Sequence, residues 1–122
     1  MTTAKILDAN VTAAKLDGAQ SGSAPVFGVR AWGKFAGQGS NGACVVNASG
    51  NVTGVSRISD GVYEVTMTTA LPDADYAVTS TSGTFSVSYN TFTETTTQFR
   101  LEFRNASNVL SNPTEISFMV IR

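Results

Sequence analysis

The chain has 122 residues, enough for one domain with a short extension, and such a chain buries roughly two-thirds of its unfolded surface. Apolar residues make up 42% and charged residues 14%, and the net charge is −1 with no basic run. That balance argues against disorder, against a nucleic-acid partner and against binding to an anionic membrane surface.

There is no histidine and one cysteine, Cys44. Ser-His-Asp and Cys-His catalysis, the commonest zinc ligand and any internal disulfide are therefore excluded. Cys44 lies in the apolar run Ala43-Cys44-Val45-Val46 and reads as a small buried hydrophobe. The N-terminus, MTTAKILDANVTAAKL, carries neither a signal-peptide pattern nor a membrane-spanning stretch, so synthesis in the cytoplasm is expected.

Residues 1–24 lack aromatic residues, and their apolar points Ile6, Val11 and Leu16 stand five apart. That spacing fits neither a helix nor a strand. One helical turn over residues 11–16 with Asn10 as cap is one reading. A disordered tail is another. Packing of the three residues against copies of themselves around an axis accounts best for their regularity. GAQSGSAP then reads as a linker, with Pro25 at the edge of a domain over residues 25–122.

Residues 26–35 form the first predicted strand, with Phe27, Val29, Ala31 and Phe35 on one parity and Arg30, Trp32 and Lys34 on the other. The Trp32 face is a candidate subunit interface. GQGSNG follows a strand with no helix after it, so it is a loop and not a phosphate cradle. Residues 43–47 read as a short strand, 48–51 as a turn, and 52–58 as a strand with a bulge at Gly54. Asp60-Gly61 introduces a strand over 63–69, and Leu71-Pro72-Asp73 introduces another over 76–80. Residues 84–89 alternate, with Phe85, Val87 and Tyr89 inward; 90–97 are a polar loop or edge strand. Residues 98–104 alternate most cleanly, Phe99, Leu101 and Phe103 against Arg100, Glu102 and Arg104. After an Asn/Ser-rich turn, residues 115–122 carry apolar side chains on both faces, as in a strand covered on both sides. About eight short strands at near-regular spacing imply an all-β fold, a β-sandwich of jelly-roll type or a barrel.

Little in this pattern supports catalysis or a cofactor. Asp73-x-Asp75 could offer two oxygens to calcium but lacks the rest of a calcium loop, so a turn is expected. Most of the carboxylates fall in turns or on solvent-facing strand positions, and Glu102 is expected to pair with a neighbouring arginine within the sheet. Binding remains. The stretch Tyr89-Asn90-Thr91-Phe92-Thr93-Glu94 combines aromatic and polar residues in the way carbohydrate sites do. Tyr89, Asn90, Phe92 and Glu94 are the candidate glycan-binding residues; the competing reading makes Tyr89 and Phe92 core or interface aromatics.

Three motifs carry a family resemblance: Arg30-Ala31-Trp32-Gly33-Lys34-Phe35, Asp60-Gly61-Val62-Tyr63-Glu64-Val65, and Ala70-Leu71-Pro72-Asp73-Ala74-Asp75-Tyr76-Ala77-Val78. With ILDANVTAAKLDGA before them, they resemble the C-terminal β-rich module of bacteriophage tail fibre proteins over roughly residues 5–82. The resemblance implies a homotrimeric virion protein, with residues 1–24 as a trimerisation and attachment segment and Ile6, Val11 and Leu16 as its seam. It further implies contact with other tail or capsid proteins through the N-terminus, and with host polysaccharide or lipopolysaccharide through the β-rich head. The chain lacks the long shaft of a typical fibre. A purely structural virion component is the alternative expectation, and a glycan depolymerase is a weaker rival.

Overall fold

The computed structural model describes residues 28–83, 88–92 and 94–122. These residues form nine strands and no helix: β1 Val29–Ala36, β2 Gly42–Ala43, β3 Val46–Gly50, β4 Gly54–Ser59, β5 Val62–Thr66, β6 Ala77–Ser82, β7 Ser88–Phe92, β8 Gln98–Arg104 and β9 Glu115–Ile121. They make two antiparallel sheets, one of four strands in the order β3-β1-β9-β6 and one of five in the order β2-β4-β5-β8-β7. The two sheets face each other across one core, the arrangement of a β-sandwich.

The alternation seen in the sequence builds that core. The four-stranded sheet contributes Ala31, Phe35, Val78, Ile116, Phe118 and Val120; the five-stranded sheet contributes Val55, Tyr63, Val65, Phe99, Leu101 and Phe103. Aromatic rings lock the sheets together. Phe35 meets Tyr63 at 5.5 Å between ring centres, and Phe99 meets Phe118 edge-on at 5.6 Å. Such pairs add about 0.5–1.5 kcal/mol each beyond the area they bury.

The connections between strands are also tied down. Tyr76 closes one flank of the core, and its one hydroxyl proton is shared between the carbonyls of Thr95 (2.9 Å) and Gln98 (3.0 Å). Asp73 accepts a bond from the Asp75 amide (2.9 Å), which makes the Pro72-containing segment a turn. Gly61, at φ 69°, closes the β4–β5 hairpin, where a Cβ would stand 2.6 Å from the Phe103 carbonyl oxygen.

Several boundaries differ from expectation. The strand expected at 43–47 is split into β2 and β3. Ala48-Ser49-Gly50, read as a turn, instead pairs with Lys34, Gly33 and Trp32 of β1. An edge strand held on one side tolerates these small residues, and the reversal falls one residue later, at Asn51 with φ 55°. The Asn51 side chain donates to the Arg30 carbonyl (3.0 Å) and accepts from the Thr69 amide (2.7 Å). The bulge expected at Gly54 is absent, because Gly54 pairs in register with Thr66; the β4 register shifts between Arg57 and Ser59. The strand over 63–69 ends as β5 at Thr66. Of the strand expected over 84–89, residues 84–87 lie outside the described residues. Ser88–Phe92 form the edge strand β7, against β8. Strand β9 is central in its sheet and buries Ile116, Phe118 and Val120, but its other face carries Met119 and Ile121, exposed by 40% and 38%. The expected cover on that side is not supplied by the described residues of the chain.

Candidate functional site

Three surfaces gather functional side chains. The first is a polar cluster at one end of the sandwich. Arg57 stands on the core-facing parity of β4, two residues after Val55, and is only 6% exposed. Its Nε donates to Asn112 Oδ1 (2.9 Å), Nη1 donates to Asn41 Oδ1, and Nη2 pairs with the Asp60 carboxylate. Asn112 Oδ1 also accepts from the Gly61 amide (2.9 Å) and the Tyr63 hydroxyl (3.1 Å). The cluster joins the loop after β1, the β4–β5 turn and the segment before β9. Its groups bond one another, so the arrangement is a latch and not an open anion site. Cys44 borders it. Burial pushes the Cys44 thiol up, and Arg57 offsets this only in part, so Cys44 is not an activated nucleophile. Nothing in the sequence reading singled out Arg57. Its shared parity with Val55 was the available signal.

The second surface is the outer face of the five-stranded sheet. Arg100 Nε donates to Glu64 Oε2 at 2.9 Å across β5 and β8, and Arg104 Nε donates to Glu102 at 2.7 Å. Glu102 thus pairs with an arginine as expected, though along its own strand, and it is 4% exposed. The register places Asn90 opposite Glu102 and Phe92 opposite Arg100, whereas Tyr89 stands opposite the buried Phe103. Glu94 follows the strand and lies near Tyr76, where its charge and, more strongly, burial push the phenol up to about 12. By backbone register Asn90 and Phe92 fall on one parity of β7 and Tyr89 on the other, and Glu94 lies after the strand. The side chains of Tyr89, Asn90 and Phe92 lie outside the described residues, as do Ile6, Val11 and Leu16 entirely.

The third surface is the outer face of the four-stranded sheet. Two cross-strand pairs, Val29 with Ile121 and Trp32 with Met119, run along its two central strands. All four are exposed, Val29 by 50% and Trp32 by 47%. The indole lies across Gly50, where a Cβ would come within 2.2 Å of its Nε1. An open groove of about 400 Å³ crosses the sheet between the row Trp32–Met119–Thr79 and the row Lys34–Ser117–Thr81. Ion pairs mark both ends of the face, Lys34 with Glu115 (2.9 Å) and Arg122 with Asp73 (2.6 Å). An apolar strip centred on a tryptophan and bordered by paired charges is the composition of a protein contact.

Among the described residues, no three His, Cys, Asp or Glu side chains converge to hold a metal ion. Asp73, half of the Asp-x-Asp pair, is engaged by Arg122. Comparison of the chain with family models, curated proteins and solved structures found no match.

Proposed function

We propose that this chain is the β-rich head of a trimeric phage tail fibre, carried on the virion, that attaches to host surface polysaccharide or lipopolysaccharide. The observation that carries the reading is a buried core beside an apolar strip, on the central strands of one sheet, that the described residues leave exposed. A chain that completes its own interior and still exposes a tryptophan strip is built for assembly. The three fibre-like motifs supply the context. In this reading residues 1–24 trimerise and contact other virion proteins. A jelly-roll winding belongs to this proposal; the pairing of the first and last described strands and of β5 with β8 supports it.

Adhesion would be multivalent. One shallow sugar site is worth about 4 kcal/mol, near millimolar affinity. Three sites on a head raise avidity without new contacts. The segments 88–97, which include β7 with Asn90 and Phe92 in register with Glu102 and Arg100, and 106–113 are the places to seek the sugar.

A second reading follows from the same apolar strip, which would equally suit a structural component that binds only other virion proteins. Binding of the full chain to whole bacteria and to purified lipopolysaccharide separates the two. Saturable binding that free polysaccharide competes away supports the adhesin. No binding to any susceptible host, with virions still assembling around the protein, supports the structural role. Release of fragments from polysaccharide would point to a depolymerase.

A further inference from the structure

We infer that the outer face of the four-stranded sheet is turned toward a three-fold axis, where three copies of the chain pack Trp32, Met119, Val29 and Ile121 together. The inference rests on the trimeric reading and adds the surface that makes the trimer.

The sheet has the right width. Four strands at about 4.8 Å span about 19 Å, and three such sheets set as the walls of a triangular prism stand about 5.5 Å from its axis. That is close to half the roughly 10 Å at which stacked sheets pack, so side chains fill the interior without a channel. The distribution of side-chain size also fits. The large residues lie on the central strands β1 and β9, nearest the axis. The edge strands β3 and β6, which meet neighbours at the narrow corners, present Ala48 and Gly50, and Ala77, Thr79 and Thr81.

Charge and connectivity agree with the same placement. Lys34 and Glu115 neutralise each other on each chain, so three copies meet without a net charge at that end. The chain enters the face through Val29 on a central strand. The start of β1 therefore lies beside the proposed axis. The two-faced apolar pattern of β9 is accounted for as well, one face serving the sandwich and the other the trimer.

Trp32 is the only tryptophan, so intrinsic fluorescence reports this face alone. The full chain is measured by light scattering and acrylamide quenching across a dilution series. The inference predicts a mass of three times 12.7 kDa, with blue-shifted emission and quenching several-fold weaker than for free indole. Both features should be lost together on dilution. In the Trp32→Ser/Met119→Ser variant, the mass should fall to that of one chain while the far-UV β signal is kept. If that variant fails to fold, the dilution series on the unaltered chain decides alone. A trimer with freely quenched Trp32 overturns the face and spares the trimeric reading. A monomer overturns both, and a dimer overturns the prism. Protection that persists in the monomer assigns the cover to residues 1–27 of the same chain. An emission shift of a monomer on adding bacterial lipopolysaccharide assigns the groove to glycan. Each of the last two results overturns the inference.

Discussion

Replacing Asn112 with alanine is predicted to weaken the fold by about 2–4 kcal/mol. The Asn112 oxygen accepts from Arg57 Nε and the Gly61 amide, each at 2.9 Å, and from the Tyr63 hydroxyl at 3.1 Å. Tyr63 has a second acceptor in the Gln38 carbonyl at 3.3 Å, so it loses little. Arg57 and Gly61 are both buried, and each would keep a donor with no partner. An orphaned buried donor costs about 1–3 kcal/mol, and two at about 1–2 kcal/mol each set the range. Against a total stability of about 5–15 kcal/mol the loss is large. Urea unfolding at fixed protein concentration is the assay. The midpoint should fall by about 1–2 M for a urea slope of roughly 2 kcal/mol/M, and the slope should not change. Asn105→Ala serves as control. The Asn105 side chain accepts from the exposed Ser107 and Val109 amides, so its loss should cost about 1 kcal/mol or less. An Asn112→Ala protein within about 0.5 kcal/mol of the parent would show that the latch contributes nothing and would refute the reasoning.

Three further outcomes are expected. Gly37→Ala should destabilise by at least about 3 kcal/mol, because its Cβ would stand 1.6 Å from the Pro113 backbone oxygen; an unchanged thermal midpoint would contradict that close approach. Burial and the Glu94 charge raise the Tyr76 phenol to about 12. Its neutral form therefore stabilises the fold fully below about pH 10 and loses that effect as pH climbs toward 12. A titration followed at 295 nm should show a late phenolate step that is missing in Tyr76→Phe, and ionisation of every tyrosine near pH 10 would contradict this. The Arg122 guanidinium holds the Asp73 carboxyl below its usual range. Its contribution is present above that range and fades as pH falls through the lowered value. Carboxyl NMR should show Asp73 titrating at higher pH in Arg122→Ala, and an unmoved curve would exclude the ion pair.

The sandwich was legible where one residue in two had to be apolar. Phe99, Leu101 and Phe103 of β8, and Tyr63 and Val65 of β5, sit in the core on the parity read from the sequence. Asp60-Gly61 marked a real hairpin. The Ala48-Ser49-Gly50 strand was missed because small residues on a singly paired edge look like a turn, and only its partner β1 distinguishes the two. Arg57 was missed because a charge within a strand reads as solvent-facing. Its burial depends on Asn112, 55 positions away, and on the loop that delivers it. The neighbours of β9 were also hidden, since β1 and β6 reach it from distant parts of the chain. For the glycan candidates, composition suggested a site at residues 89–94, and the register adds only that Tyr89 pairs with Phe103 and Asn90 with Glu102.

The association of three chains through the Trp32 face is tested most directly by a cross-link at its centre. Met119→Cys in a Cys44→Ser background puts one thiol per chain beside the proposed axis, with Arg100→Cys in the same background as a control on the outer face of the other sheet. A bis-maleimide reagent with a spacer of about 10 Å, matching the separation the prism gives these positions and too wide for a direct disulfide, should convert the Met119→Cys protein largely to linked pairs, because three thiols can close one bridge, and should leave the control as single chains. Linked pairs in the control alone, or single chains throughout, would contradict the account.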